Sequence, residues 1–403
     1  MGSEDVRRDT RAAEFEAATR RYDADSNPLL PAPRTLASAR RIVVKIGSAL
    51  IVDQSNGTIR EAWLNTLAHD IARLRGRGQD VAVVSSGAVA IGRHALNLHQ
   101  NPLSKTDRQA AAAVGQIQLS RAYSEIFARH RLRVAQVLLT PDDTTERQHL
   151  TDVRATLIKL LSFQTIPVIN ENDAIARGAL SFGDNDRLAA RAAQLAGSDM
   201  LVLLSNVAGL YSADPYEASG AFLIREVRDV SQEIERMAGA ARAGYSSGGM
   251  VSKLAAARMA LASGCTMIIA DGRDAHPLSA IDDGKPCTSF HPSPEARFAR
   301  KRRIAGTLRS AGTLLVDNAA VIQLRLGESL YVPELKSFDG DFARGDAIVI
   351  KEVDGNEVAR GLSMYSSAEL GCVVRRFELE AGDPWLCGQL KPIVHSDDLA
   401  LTE

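Results

Sequence analysis

The residues with chemical potential fall into four short polar stretches. Lys45 stands in "VVKIGS", just ahead of Gly47. A cation beside a backbone freed by glycine can close around an anion; the same residues also describe a strand ending in a turn with a solvated lysine. Ser85, Ser86 and Gly87 open "SSGAVAIG". Amides exposed at a helix start attract anionic groups, and a serine there serves equally as an N-cap. The run "INENDAIARGALSFGDNDRLAARAA" gathers Asn170, Glu171, Asn172 and Asp173, then Asp184, Asn185 and Asp186. Clusters of this kind hold an ammonium group, place a magnesium ion or orient a lysine; Asx turns and a capped helix at Arg187 are the alternative. Two clusters bracketing one short glycine-containing loop favour the functional reading. In "GYSSGGMVSK", Gly248 and Gly249 permit close backbone approach, Ser246, Ser247 and Ser252 can donate hydrogen bonds, and Lys253 stands at the base of a helix. A cation at the positive end of a helix dipole costs a few tenths to about 1 kcal/mol unless an anion lies nearby.

Several familiar devices are missing: there is no GxxxxGK[ST], no strand-linked GxGxxG and no HExxH, and the GxSxG match at Gly244–Gly248 follows no strand-like run. A P-loop, a dinucleotide fingerprint, a zincin helix and a nucleophile elbow are thereby excluded. The net charge of -1 gives no whole-chain reason to expect a nucleic-acid or membrane partner. Cys265, Cys287, Cys372 and Cys387 form no CxxC pair, which fits reduced thiols and a cytoplasmic setting. No apolar run is long enough to span a bilayer, and the charged segment 1–37 lacks the apolar core of a signal peptide. That segment reads as a poorly ordered extension.

The elements that must position the four stretches follow from periodicity. "RIVVKIGSAL", "DVAVVSSGAVAIG", "RVAQVLLT", "TIPVIN", "DMLVLLSN" and "TMIIADG" read as buried strands. Leu64, Leu67, Ile71 and Leu74 recur at helical spacing up to Gly76, which is expected to stop that helix; Leu188, Ala192 and Leu195 mark another. Strand and helix alternating in this way imply an α/β fold, with a mainly parallel sheet covered on both faces. The polar stretches fall at strand ends, where such sheets bind ligands. Beyond Pro294 the texture changes to a basic run, then short alternating segments with turn pairs Asp339-Gly340 and Asp354-Gly355. A small β-rich domain with hairpins is expected there.

Taken in order, "VVKIGS", "SSGAVAIGR", "AAVGQ", "QVLLT", "PVINENDA", "FGDNDRLAA", "LLSNVAGLYSADP" and "GGMVSKLAAARMA" resemble the glutamate 5-kinase branch of the amino acid kinase family. The combination of "INENDA…GDND" with "GGMxSK" separates that branch from aspartate, acetylglutamate and uridylate kinases. "FARGDAIVIKEVDGNEVARGLSMYSS" resembles a PUA domain. The resemblance implies a three-layer αβα sandwich over 38–298, a linker over 299–311 and a PUA-like domain over 312–397. It implies ATP-dependent phosphorylation of the side-chain carboxylate of L-glutamate with Mg2+, as the first step of proline synthesis, with proline as feedback inhibitor. Lys45 and Lys253 would hold the transferring phosphoryl and Asp186 would position both. Ser86, Asp173 and Asn185 would grip glutamate, and Gly47 and Gly87 would bring backbone amides to the phosphoryl. ATP would lie across Ser205, Asn206 and the loop of Ser247, Gly248, Gly249, Met250, Val251, Ser252 and Lys253. The magnesium ligands are not implied.

Three positions depart from the family pattern. Ser205-Asn206 stands where Thr-Asp is common, "SSGGM" replaces "GTGGM", and Ser181 replaces a frequent lysine. None touches the two lysines or Asp186. A homo-oligomer, dimer or tetramer, is further implied. The basic run Arg297, Arg300, Lys301, Arg302 and Arg303 reads as a solvated linker or as an RNA contact beside the PUA domain, and the neutral net charge favours the linker.

Overall fold

Strands buried on both faces need apolar residues at nearly every position, and five of the six runs named above supply them; the sixth, "RVAQVLLT", forms an edge strand that is mostly half-buried or exposed. The chain, seen in a computed structural model, is described for residues 35–98, 102–140, 147–175, 185–215, 218, 220–238, 249–293, 296, 310–379 and 392–402. The runs become β1 (Arg41–Ile46), β2 (Asp80–Ser85), β3 (Arg133–Leu139), β4 (Thr165–Glu171), β5 (Met200–Ser205) and β7 (Thr266–Asp271). Two short strands at one end of the sheet, β6 (Glu226–Val227) and β8 (Cys287–Phe290), were not legible in the periodicity. The sheet order is β3-β4-β2-β1-β5-β7-β8-β6, parallel from β3 to β7, with β8 antiparallel to β7.

Helices cover both faces. They are α1 (Ser48–Ile51), α2 (Glu61–Gly76), α3 (Ala88–Ala95), α4 (Lys105–Arg129), α5 (Arg147–Ser162), α6 (Asn185–Ala196), α7 (Gln232–Met237), α8 (Met250–Ala262) and α9 (Pro277–Asp282). Side chains alternate along each strand, so the sheet feeds two cores. Ile42, Val44 and Ile46 pack with Leu67 and Ile71 of α2 and Phe127 of α4. Val43 packs with Leu188 and Ala192 of α6 and Ala257 of α8. Three layers result. α2 ends at Gly76 as expected, and the left-handed residue of the following turn is Gly78 (φ +79°).

The second sheet holds β9 (Gly312–Val316), β10 (Leu335–Gly340), β11 (Ala347–Glu352), β12 (Glu357–Ser363) and β13 (Val394–Leu401), in the order β10-β9-β11-β12-β13. Helices α10 (Asn318–Arg325) and α11 (Ser367–Leu379) accompany it, around a core of Leu314, Leu324, Ile348, Ile350 and Leu370. Asp354-Gly355 forms the expected β11–β12 turn, with Gly355 at φ +91°. Asp339-Gly340 does not form a hairpin turn: both residues sit inside β10, paired with Thr313 and Gly312. Close pairing explains the glycine, since a Cβ at position 340 would lie 2.5 Å from the Ala311 carbonyl oxygen. The expectations for residues 1–34 and for the basic run 297–303 fall outside the described residues.

Candidate active site

Because β1, β2, β4, β5 and β7 run parallel, their carboxyl ends share one rim. Lys45 lies next to the end of β1, and alternation places it on the same face as Val43, over α6 and α8. Asp186 is in the first turn of α6 and Lys253 in the first turns of α8. Lys45 Nζ lies 2.5 Å from Asp186 Oδ1, and Lys253 Nζ donates to Oδ2 at 3.1 Å. Asp186 is 0% exposed and each lysine 7% exposed. Burial alone would push the Asp186 carboxyl up, but Lys45 and Lys253 outweigh it and hold the group below the ordinary carboxylate range. Two ammonium groups around one carboxylate leave one positive charge at the rim. The helix-dipole mismatch at Lys253 is thus answered first by Asp186.

The second polar cluster forms a bridge between elements. Asn185 Nδ2 donates to the Ser85 carbonyl (2.9 Å), to Ser86 Oγ (2.7 Å) and to Asn170 Oδ1 (3.0 Å). Asn170 Nδ2 in turn donates to Gln116 Oε1 at 2.8 Å. No serine caps α3; its N-cap is Gly87, at φ +113°. A side chain there would be strained and would meet Val52 Cγ2 at 2.9 Å. Gly47, by contrast, has φ -69° and room for a Cβ. The fold therefore does not require glycine at 47, contrary to the expectation of a glycine-dependent turn. Asp173 follows β4. Burial first and the neighbouring Glu171 second push its carboxyl up to about 6, against the pull of Arg108.

A cavity of about 820 Å3 opens at this rim. Lys45, Gly47, Ser86 and Gly87 line it, as do Asp173, Asn185, Ser205, Asn206 and Lys253. Gly249 is the N-cap of α8 and Met250, Val251 and Ser252 its first turn; among the described residues of this loop only Lys253 lines the cavity. Ser205 Oγ donates to Asn206 Oδ1 at 3.3 Å. Ser181, Asp184, Ser246, Ser247 and Gly248 lie outside the described residues. The cavity also takes in Arg93 and His94 from the end of α3 and Arg108 from the start of α4. Sequence reasoning did not single these out, because only the crossing of two helices brings them together.

A parallel α/β sheet whose carboxyl rim gathers two carboxylate-linked lysines, in a sequence without a P-loop, suits the binding of an anionic ligand. Residues 40–271 match the family model described as the amino acid kinase family, and residues 312–380 match that of the PUA domain. The chain belongs to the amino acid kinase family and carries a C-terminal PUA domain. It is 46% identical over 366 residues to the glutamate 5-kinase of Paramagnetospirillum magneticum, covering 91% of this chain and 99% of the relative. It is 47% identical over 370 residues to the glutamate 5-kinase of Gluconobacter oxydans, covering 92% and 98%. The Nitrobacter winogradskyi glutamate 5-kinase is 46% identical over 91% of this chain and 97% of the relative. Among the described residues no helix is long and apolar enough to cross a membrane.

Proposed function

We propose that this kinase transfers the γ-phosphoryl of ATP to the side-chain carboxylate of L-glutamate, giving L-glutamyl 5-phosphate and ADP for proline synthesis. The carrying observation is the Lys45–Asp186–Lys253 bridge at the cavity rim. A glutamate carboxylate is ionised at neutral pH, so its oxygen attacks phosphorus without a general base. What the reaction needs is alignment and cations. In this reading a carboxylate oxygen bonds to the γ-phosphorus as the bond from phosphorus to the β-phosphate oxygen breaks. Lys45 and Lys253 answer the charge on the equatorial and leaving oxygens. Asp186 keeps the two ammonium groups apart and aimed.

Asp173 receives the substrate ammonium. Ser86 Oγ already accepts from Asn185, so its own hydroxyl proton is left to donate to a substrate carboxylate. Asn185 then acts chiefly by holding Ser86, because its amide already serves three acceptors. The nucleotide lies along Ser205, Asn206 and the start of α8, where no side chain caps Gly249 among the described residues. Asp186 is committed to both lysines, so magnesium enters as the MgATP substrate, carried on phosphate oxygens. A second cavity of about 230 Å3, lined by Gln116, Gln136 and Asn172, shares Glu171 and Asp173 with the first. An inhibitory amino acid such as proline would compete there for the ammonium-binding carboxylate.

ADP release with Mg2+, ATP and glutamate, set against aspartate, acetylglutamate and UMP, tests the assignment. Release above the buffer rate with glutamate alone is expected, and equal release with buffer removes the substrate claim. Millimolar proline should slow the reaction; an unchanged rate removes the inhibitor.

A further inference from the structure

Away from the cavity, α2, the end of α4 and the loop leading into α9 meet at a group of imidazoles around one buried carboxylate. Asp70, on α2, is 0% exposed. Its Oδ2 accepts from the backbone N–H groups of Leu278 (2.9 Å) and Ser279 (3.2 Å), and its Oδ1 accepts from Ser279 Oγ at 2.7 Å. His276 Nδ1 lies 3.0 Å from the same Oδ1. Among the described residues no lysine or arginine pairs with Asp70; His276 is its one ion-pair partner. A buried carboxylate with so little opposing charge favours a cation beside it.

His69 is exposed, one residue before Asp70, and its ring packs edge-on against that of His276, with centroids 5.1 Å apart and planes at 84°. Ligand atoms of His69, Asp70 and His276 all lie within 4.8 Å of one another. Two imidazole nitrogens each about 2 Å from one ion stand at most about 4 Å apart, so the side chains draw slightly together around an ion. The His276 backbone is left-handed, at φ 55° and ψ 51°, which turns its ring onto Asp70. His130, from the C-cap of α4, stacks edge-on against His69 at 6.0 Å, with its Nε2 3.0 Å from Asn65 Oδ1.

We propose that His69, His276 and Asp70 form a binding site for a divalent transition-metal ion of the zinc type. The ion sits between His276 Nδ1 and Asp70 Oδ1, which lie 3.0 Å apart. Two nitrogens and one oxygen, with remaining positions open to water, suit Zn2+, Co2+ or Cu2+ and not Mg2+, which prefers an all-oxygen shell. Binding joins α2 to the loop that follows β7. That loop starts at Gly272, whose N–H donates to the Ser205 carbonyl at the cavity rim and whose own carbonyl accepts from Trp63 Nε1. The site would thus be an ion clamp on the outer helical layer, separate from the phosphoryl-transfer centre.

The test uses the untagged full-length protein, stripped with chelator and titrated with Co2+ by visible absorption, then with competing Zn2+. One saturable equivalent is expected in the micromolar range, with Zn2+ raising Tm. His69→Ala should weaken binding at least tenfold and abolish the Tm rise. Its kinase activity in metal-free MgATP buffer should match the unsubstituted protein, which shows that the variant folds. Cys372→Ser should bind as the unsubstituted protein does. Binding that survives both His69→Ala and His276→Ala overturns the site. So does the lack of saturable binding.

Discussion

Lys45, Asp186 and Lys253 come from three separate segments and meet over a few ångströms, so each depends on the other two. Replacing either lysine with alanine removes one cation from the proposed phosphoryl site, and kcat should fall on the order of 10²–10³-fold, the scale of a lost oxyanion donor. A KM effect alone, with kcat intact, would count against the assigned role. Asp186→Asn keeps shape and removes charge. It leaves two ammonium groups, each 7% exposed, without the counter-charge between them, which should cost about 3–5 kcal/mol in denaturant unfolding. The sign with pH follows from the lowered carboxyl. Its contribution is fully present above the unfolded value of about 3.9 and is lost as pH falls below it. The stability gap between the two proteins should therefore close under strong acid and persist at neutral pH. Asp173 behaves oppositely, its carboxyl raised to about 6. Below that pH it is neutral and attracts an ammonium group less, so KM for glutamate should climb as pH drops from 7 to 5, and Asp173→Asn should flatten the profile. The lysines could be picked out in the sequence by glycine and strand-end context. Their common partner could not, because residues 45, 186 and 253 have no periodic relation; only the family resemblance suggested it.

At the scale of elements, the cavity wall depends on how closely α3 and α4 cross. A Cβ at Gly92 would lie 1.8 Å from the Ala111 carbonyl oxygen, and one at Gly115 1.9 Å from that of Ala88. Ala88 follows Gly87, whose left-handed backbone opens α3 toward the cavity. Gly115→Ala should therefore do two things. Forced separation of the helices should cost about 1–3 kcal/mol, as overpacking does, and the displaced start of α3 should lower kcat/KM more than mild warming of the unsubstituted protein does. Thermal melts and kinetics on the same preparation check this, and a stable variant with full activity would refute it. The interior strands were legible because burial on both faces writes continuous apolar runs. The short strands β6 and β8 were not: at two and four residues they carry too little pattern. Asp339-Gly340 misled for a related reason, since the glycine serves close strand pairing and not a reversal.

Across the whole molecule the two ends of the large sheet carry different work. At the amino end, Asp199 accepts from the backbone N–H groups of Arg40 (2.8 Å) and Arg41 (2.7 Å), and Arg41 pairs with Asp80 at 3.0 Å. These contacts fasten strand starts and face no ligand cavity of the kinase rim. The same end meets the second sheet: Arg40 Nη1 lies 2.8 Å from Asp398 Oδ2, with side chains only 13% and 7% exposed. Arg40 Nη2 also donates to the Ser363 carbonyl at 3.4 Å. A buried pair of this kind is worth little as a gain over apolar packing, yet breaking it strands one charge. Asp398→Ala should thus uncouple the two sheets. Calorimetry should replace one cooperative transition by two, the lower belonging to the β9–β13 sheet. Kinase activity at 25 °C should stay within about twofold, because the proposed catalytic rim lies at the opposite ends of the strands. Asp398→Asn, which keeps a hydrogen-bond acceptor for Arg40, should restore part of the coupling. A single unshifted transition in Asp398→Ala would show that the ion pair does not join the two units, and a large loss of turnover would show that the second sheet supports the rim after all.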